Sequence, residues 1–136
     1  MLSYNEIDPT RLTDVRSALL CARMNLHGAK RLLQNGSFRR GISALYDSLL
    51  FGMHYYVARH KGCADVDLGD AAGLFHVLTR AGVFEDPLAF NRLSLTVERL
   101  LWQGSDAFDA NVILLEVEEM LAKLGVLKIP KSKISH

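Results

Sequence analysis

Ser43, Asp47, His54 and Lys61 fall in one narrow stripe when the second apolar-periodic segment is placed on a helical wheel at about 100° per residue, with apolar residues flanking the stripe on both sides. These residue types suit proton transfer or anion contact: histidine takes and returns a proton near neutral pH, and aspartate can orient it or pair with a cation. Arg99, in the stretch VERLLWQGSDAF, adds the group that best fits a phosphate. Its guanidinium offers parallel donors and stays charged at every relevant pH. Two readings follow. Ser43, Asp47 and His54 line an anion-binding cleft in which Asp47 pairs with Arg99, or the stripe is the solvated seam between a hydrophobic core and a dimer contact.

The other polar groups carry less chemistry. Arg23 and His27 stand four apart on one helical face, a spacing also typical of ordinary surface pairs. His60 falls at a helix C-terminus, where a cation complements the dipole, and His76 sits between Phe75 and Val77. Neither comes with a metal-ligand set. Cys21 and Cys63 lack CxxC or Cys/His spacing, and there is no phosphate-cradling glycine loop, GxSxG or HExxH. No metal or cofactor is expected. Arg39 and Arg40, with Lys128, Lys131 and Lys133 in the tail, form small basic groups that are usually just solvated.

Positioning these groups requires a folded scaffold, and the composition supplies one. The chain has 136 residues, 49% hydrophobic and 23% charged, enough for a single domain with a real core. Sixteen Lys and Arg against fifteen Asp and Glu leave a formal charge of +1, so no overall field gathers nucleic acid or membrane. Any such binding must be local. The N-terminus lacks a basic and apolar leader, and the most apolar stretch, residues 42 to 58, is interrupted by Ser43, Asp47, Ser48 and His54. These features predict a soluble, reduced, cytoplasmic setting.

Asp8-Pro9 is a helix-start signal, and apolar residues then recur every three or four positions to Leu33, where Asn35-Gly36 stops the helix and Ser37 can cap the next. So short a connection predicts an antiparallel hairpin. The second helix runs to about Lys61 before Gly62, with Ile42, Leu45, Tyr46, Leu49, Leu50, Met53, Tyr56 and Val57 on one face. Phe51 and Tyr55 lie opposite and call for a cover, from another helix or a second subunit. Further helices are predicted over 70–81, over 87–102 after Asp86-Pro87, and over 106–124, with stops at Gly82, Gly104 and Gly125. The expected fold is all-α, an antiparallel up-and-down bundle of four to five helices spanning residues 1–136 as one domain, its core over about 8–125 and a loosely held tail over 126–136.

The stretch LLQNGSFRRGISALYDSLLFGMHYYVARHKG resembles the signature hairpin of HEPN domains, with Leu33, Gly36, Phe38 and Tyr46 at the family's spacing. DAAGLFHVLTRAGVFEDPLAFNRLSLTVERL is similar to the family's short third helix and the helix bearing its arginine, with Leu95 four residues before Arg99. The likeness covers roughly residues 10 to 125. It implies a helical bundle, usually a homodimer, often acting with a nucleotidyltransferase partner. Some members are metal-independent RNases and toxins, while others are thought to be nucleotide- or RNA-binding modules. The nuclease subset follows its arginine, after four to six residues, with a histidine.

Here that interval from Arg99 reaches Gly104, Ser105 and Asp106, and no arginine precedes any of the five histidines at that spacing. Aspartate, with a reference pKa of about 3.9, is a poor base at neutral pH. The expected function is therefore a non-catalytic HEPN-like module that binds a nucleotide, RNA or partner protein through Arg99, Asp47, His54 and Ser43, possible settings being a nucleotidyltransferase complex or a toxin-antitoxin-type pair. The alternative is a divergent metal-independent RNase that uses Arg99 with an acid or a histidine from another helix, His54 being the histidine nominated. Incubation with single-stranded and structured RNA in EDTA should leave both substrates intact; cleavage that disappears in Arg99→Ala or His54→Ala would establish the alternative.

Overall fold

The computed structural model describes residues 15–60, 71–103 and 110–127, the side chains of 100, 101 and 103 excepted. It contains α1 (Val15–Gln34), α2 (Phe38–Arg59), α3 (Ala71–Arg80), α4 (Ala89–Gln103) and α5 (Ala110–Lys123), with no strand among the described residues. The chain is an all-α helical bundle. The start signal at Asp8-Pro9, the loop over 62–69, the breaks at Gly62 and Gly104, the first turn expected at 106–109 and the tail beyond residue 127 lie outside the described residues.

Gly36 turns the chain from α1 into α2. Its φ of +80° is the left-handed conformation that glycine adopts without a Cβ penalty. The Gly36 N–H donates to the Leu33 carbonyl at 3.2 Å and the Ser37 N–H to that of Leu32 at 2.8 Å, satisfying two carbonyls the helix end would leave unpaired. Gly82 and Gly125 close α3 and α5 by the same pair of bonds. Ser37 stands at the N-cap of α2 as expected, but its side chain makes no capping bond. In the turn that leads into α4, Asp86 Oδ1 accepts from the Leu88 N–H at 2.9 Å, one residue short of the helix.

α2 is the axis on which the other helices pack. α1 runs along it through the hairpin, while α3, α4 and α5 each touch it as well. Every residue from Ser48 to Tyr55 is buried, so this part of the helix has no solvent face. Phe51 and Tyr55, expected to need a cover from another helix or a second subunit, are 0% and 6% exposed within the single chain. Tyr55 lies beside Gly125 at the end of α5, and its hydroxyl accepts from Arg59 Nη1 at 3.0 Å. The cover comes from inside the bundle.

Two glycines let α2 approach its neighbours this closely. A Cβ on Gly41 would stand 2.7 Å from Leu33 Cδ2, and one on Gly52 would stand 2.7 Å from Leu121 Cδ2, with Leu124 and Val126 just beyond. Val126 was expected in the loose tail, yet it is fully buried, and Leu127 packs against the core. On the other flank a chain of stacked rings joins Tyr46 to Phe90 (5.7 Å between centroids), Phe90 to Phe75 (5.2 Å) and Phe75 to Phe84 (4.9 Å). Half-buried Tyr46 thereby anchors α3 and α4 to α2.

Because rigid backbone on α2 faces three side chains of the α5 end, Gly52→Ala should overpack this contact at a cost on the order of 1–3 kcal/mol. Urea denaturation measures this, and a midpoint equal to the parent's would contradict the close approach.

Candidate functional site

Ser43 and Asp47 occur on α2 as half-buried residues, one turn apart, and His54 follows two turns later at 1% exposure. The expected stripe therefore exists on the backbone but changes character along its length, from part-accessible to sealed. Asp47 and His54 are both engaged in contacts within the fold. Lys61, its last member, lies outside the described residues. A ring as enclosed as that of His54 presents no surface to a substrate in solution.

Arg99 belongs to a different neighbourhood. It is exposed near the end of α4, and among the described residues no ion pair joins it to Asp47 or to any other carboxylate. The expected Asp47–Arg99 pairing is absent, and the four candidates do not converge on one cleft. The outer stripe of α4 instead reads Leu88, Leu95, Arg99 and Trp102, at intervals of seven, four and three residues that return to the same side of a helix. All four are exposed, Trp102 at 82%. The sequence signalled Arg99 and Leu95 but gave no sign that the tryptophan would face outward.

Other polar groups serve the architecture. Ser48 is fully buried, and its hydroxyl donates to the Ala22 carbonyl at 2.7 Å, pinning α2 to α1. Arg23 Nε donates to the Val126 carbonyl at 3.1 Å. His60 Nδ1 lies 2.9 Å from the Tyr56 carbonyl at the C-terminus of α2, with its ring stacked on Tyr56, in keeping with the helix-end role expected of it. His76 is exposed on α3 and borders a small cleft of about 130 Å³ with Phe75, Thr79 and Phe90. Burial pushes the Cys21 thiol above its ordinary range, toward the unreactive neutral form. Among the described residues no group of His, Cys, Asp and Glu could hold a metal ion, and no helix is long and apolar enough to cross a membrane.

A charged groove of about 260 Å³ separates α4 from α5. Arg92 occupies its rim, with Nη2 2.7 Å from Asp86 Oδ2 and 3.2 Å from Glu116 Oε1. The hydrogen bond from Arg92, then that from the Leu88 N–H, holds the Asp86 carboxyl below its ordinary value, and the same partnership raises Arg92. Neither Arg92 nor its bridging role was read from the sequence, because Glu116 is 24 residues away and no local spacing predicts the contact. Neither a family model, nor a curated protein, nor a solved structure matches the chain.

The lowered Asp86 carboxyl sets the sign of a pH effect. A carboxylate more acidic in the folded than in the unfolded chain adds stability above its ordinary value of 3.8, and that contribution fades as pH falls through the folded value. Both groups are solvent-exposed, so the effect is small. Thermal unfolding below pH 4 should therefore cost the parent slightly more stability than Asp86→Asn; parallel losses in the two proteins would show that the pair contributes nothing.

Proposed function

We propose that the protein is a non-catalytic binding module of the HEPN type, with the outer face of α4 as its ligand surface and Arg99 as the anion contact. The observation that carries this reading is the exposed guanidinium of Arg99, in no ion pair among the described residues, one turn from the 82% exposed indole of Trp102. An arginine beside an exposed aromatic ring can clamp a phosphate while the ring stacks on the adjoining base, and stacking of this kind is worth about 1–3 kcal/mol per base. The helix face is convex, which suits a segment of single-stranded RNA better than a mononucleotide needing enclosure. Ser43, Asp47 and His54 then belong to the scaffold that presents α4.

The histidine form of the divergent-RNase alternative draws its proton-transfer group from His54, and the 1% exposure of that residue speaks against it. A partner protein is the second reading, favoured by Leu88 and Leu95 on the same stripe as Arg99 and Trp102. The HEPN resemblance makes a nucleotidyltransferase the first candidate for such a partner and a homodimer the expected assembly.

Trp102 is the only tryptophan, so its fluorescence reports directly on the proposed surface. Titration with a 12-nucleotide single-stranded RNA should quench the emission, with affinity that falls as salt rises and drops at least tenfold in Arg99→Ala. An unperturbed tryptophan, together with equal calorimetric binding by parent and Arg99→Ala, would place the ligand on another face.

A further inference from the structure

The cleft that His76 borders lies where α3 meets the start of α4. Its buried lining is the stacked pair Phe75 and Phe90, 5% and 3% exposed, and Pro87 adds a further apolar edge. Its polar lining is His76 and Thr79 from α3 and Asn91 from α4. The Thr79 hydroxyl donates to the Phe75 carbonyl at 2.9 Å, which leaves its oxygen able to accept. His76 and Asn91 are exposed, and among the described residues no hydrogen bond engages either side chain. Donor and acceptor capacity thus accompanies an aromatic lining.

Size and chemistry together narrow the occupant. A cavity of about 150 Å³ takes one benzene ring, so the cleft of about 130 Å³ suits a single six-membered ring and not a fused pair. An apolar ring would fill the space but take water from the Asn91 amide without replacing its bonds. A pyrimidine base meets both demands. Asn91 Nδ2 can donate to the O4 of uracil while Oδ1 accepts from N3–H; with the amide turned over, Oδ1 accepts from the cytosine amino group and Nδ2 donates to N3. No Asp or Glu lines the cleft to repel a strand, in contrast to the α4–α5 groove with Glu85, Asp86, Glu116 and Glu119.

Asn91 also belongs to the outer stripe of α4. Leu88, Asn91, Leu95, Arg99 and Trp102 follow one another at intervals of three or four residues, so the cleft stands at one end of the face that carries Arg99 and Trp102. At a rise of 1.5 Å per residue, Arg99 lies about 12 Å and Trp102 about 16 Å further along the axis. We propose that the α3–α4 cleft is a pocket for one pyrimidine base of a single-stranded RNA, with Asn91 reading the edge of the base. A short splayed strand then places one base in the cleft, a phosphate at Arg99 and a second base on the indole. The inference rests on the α4 face as the RNA surface and adds sequence preference to it, since phosphate contacts carry none.

The test is titration with 12-nucleotide uridine, cytidine and adenosine homopolymers, followed by Trp102 fluorescence, with circular dichroism to verify folding. The parent should bind the two pyrimidine strands at least tenfold tighter than the adenosine strand. Asn91→Ala should bind all three alike with an unchanged salt dependence, because the phosphate contacts remain. Ala72→Leu, which fills the cleft from an exposed lining position and leaves the amide in place, should lose the preference as well. A pyrimidine preference that survives in both variants would come from base stacking within the adenosine strand and would overturn the pocket. Equal binding of all three strands by the parent would also overturn it; where the quenching still depends on Arg99, the α4 surface stands and only the base pocket falls. No quenching with any strand would remove both.

Discussion

Eight consecutive residues of α2, Ser48 to Tyr55, are enclosed on every side, and the rest of the bundle is arranged to make that enclosure possible. A helix of ordinary amphipathic design needs one neighbour, whereas one buried all round needs several. α1 supplies the first wall through the hairpin, the α5 end the second, and the stacked rings of α3 and α4 the third. Each fully buried large aliphatic or aromatic side chain gains roughly 1.5–3 kcal/mol on leaving water. Leu49, Phe51 and Met53 all collect that gain, and so account for the hold α2 exerts over its neighbours.

Full burial also forces the polar groups of α2 into internal partnerships. An enclosed hydroxyl without an acceptor costs on the order of 1–3 kcal/mol, and Ser48 avoids this by donating to a carbonyl of α1. That bond fixes where α1 and α2 meet lengthwise, a specificity that apolar packing alone supplies less sharply. The same enclosure takes His54 out of the chemistry its residue type would allow. The residues of the proposed binding surface, Arg99 and Trp102, are exposed on α4 instead.

The elements were legible in the sequence because their signals are local. Gly36, Gly82 and Gly125 stop helices through backbone geometry, and Asp86 forms the turn before α4 through a bond two residues long, so each can be read within a few positions. Which of the two covers Phe51 and Tyr55 receive was not legible, for a physical reason. Periodicity divides a helix into an inner and an outer face, and a central helix has no outer one. The candidate site meets the same limit: the wheel places Ser43, Asp47 and His54 along one stripe, but how deeply each is sealed depends on helices distant in sequence. Whether Arg99 is tied to a carboxylate is likewise a fact about neighbours, invisible from its own helix.

The bond between Arg23 and the Val126 carbonyl spans 103 positions and connects the first described helix to the residues just after the last. During synthesis the α1–α2 hairpin emerges before α5, so the inner helix lacks part of its cover until the later helices follow it out. Contacts so remote in sequence close late, only once the residues after α5 have been made. Until then apolar side chains of α2 such as Phe51 and Met53 lack their full cover, and a ribosome stalled before Val126 would hold a sticky intermediate instead of a partial domain.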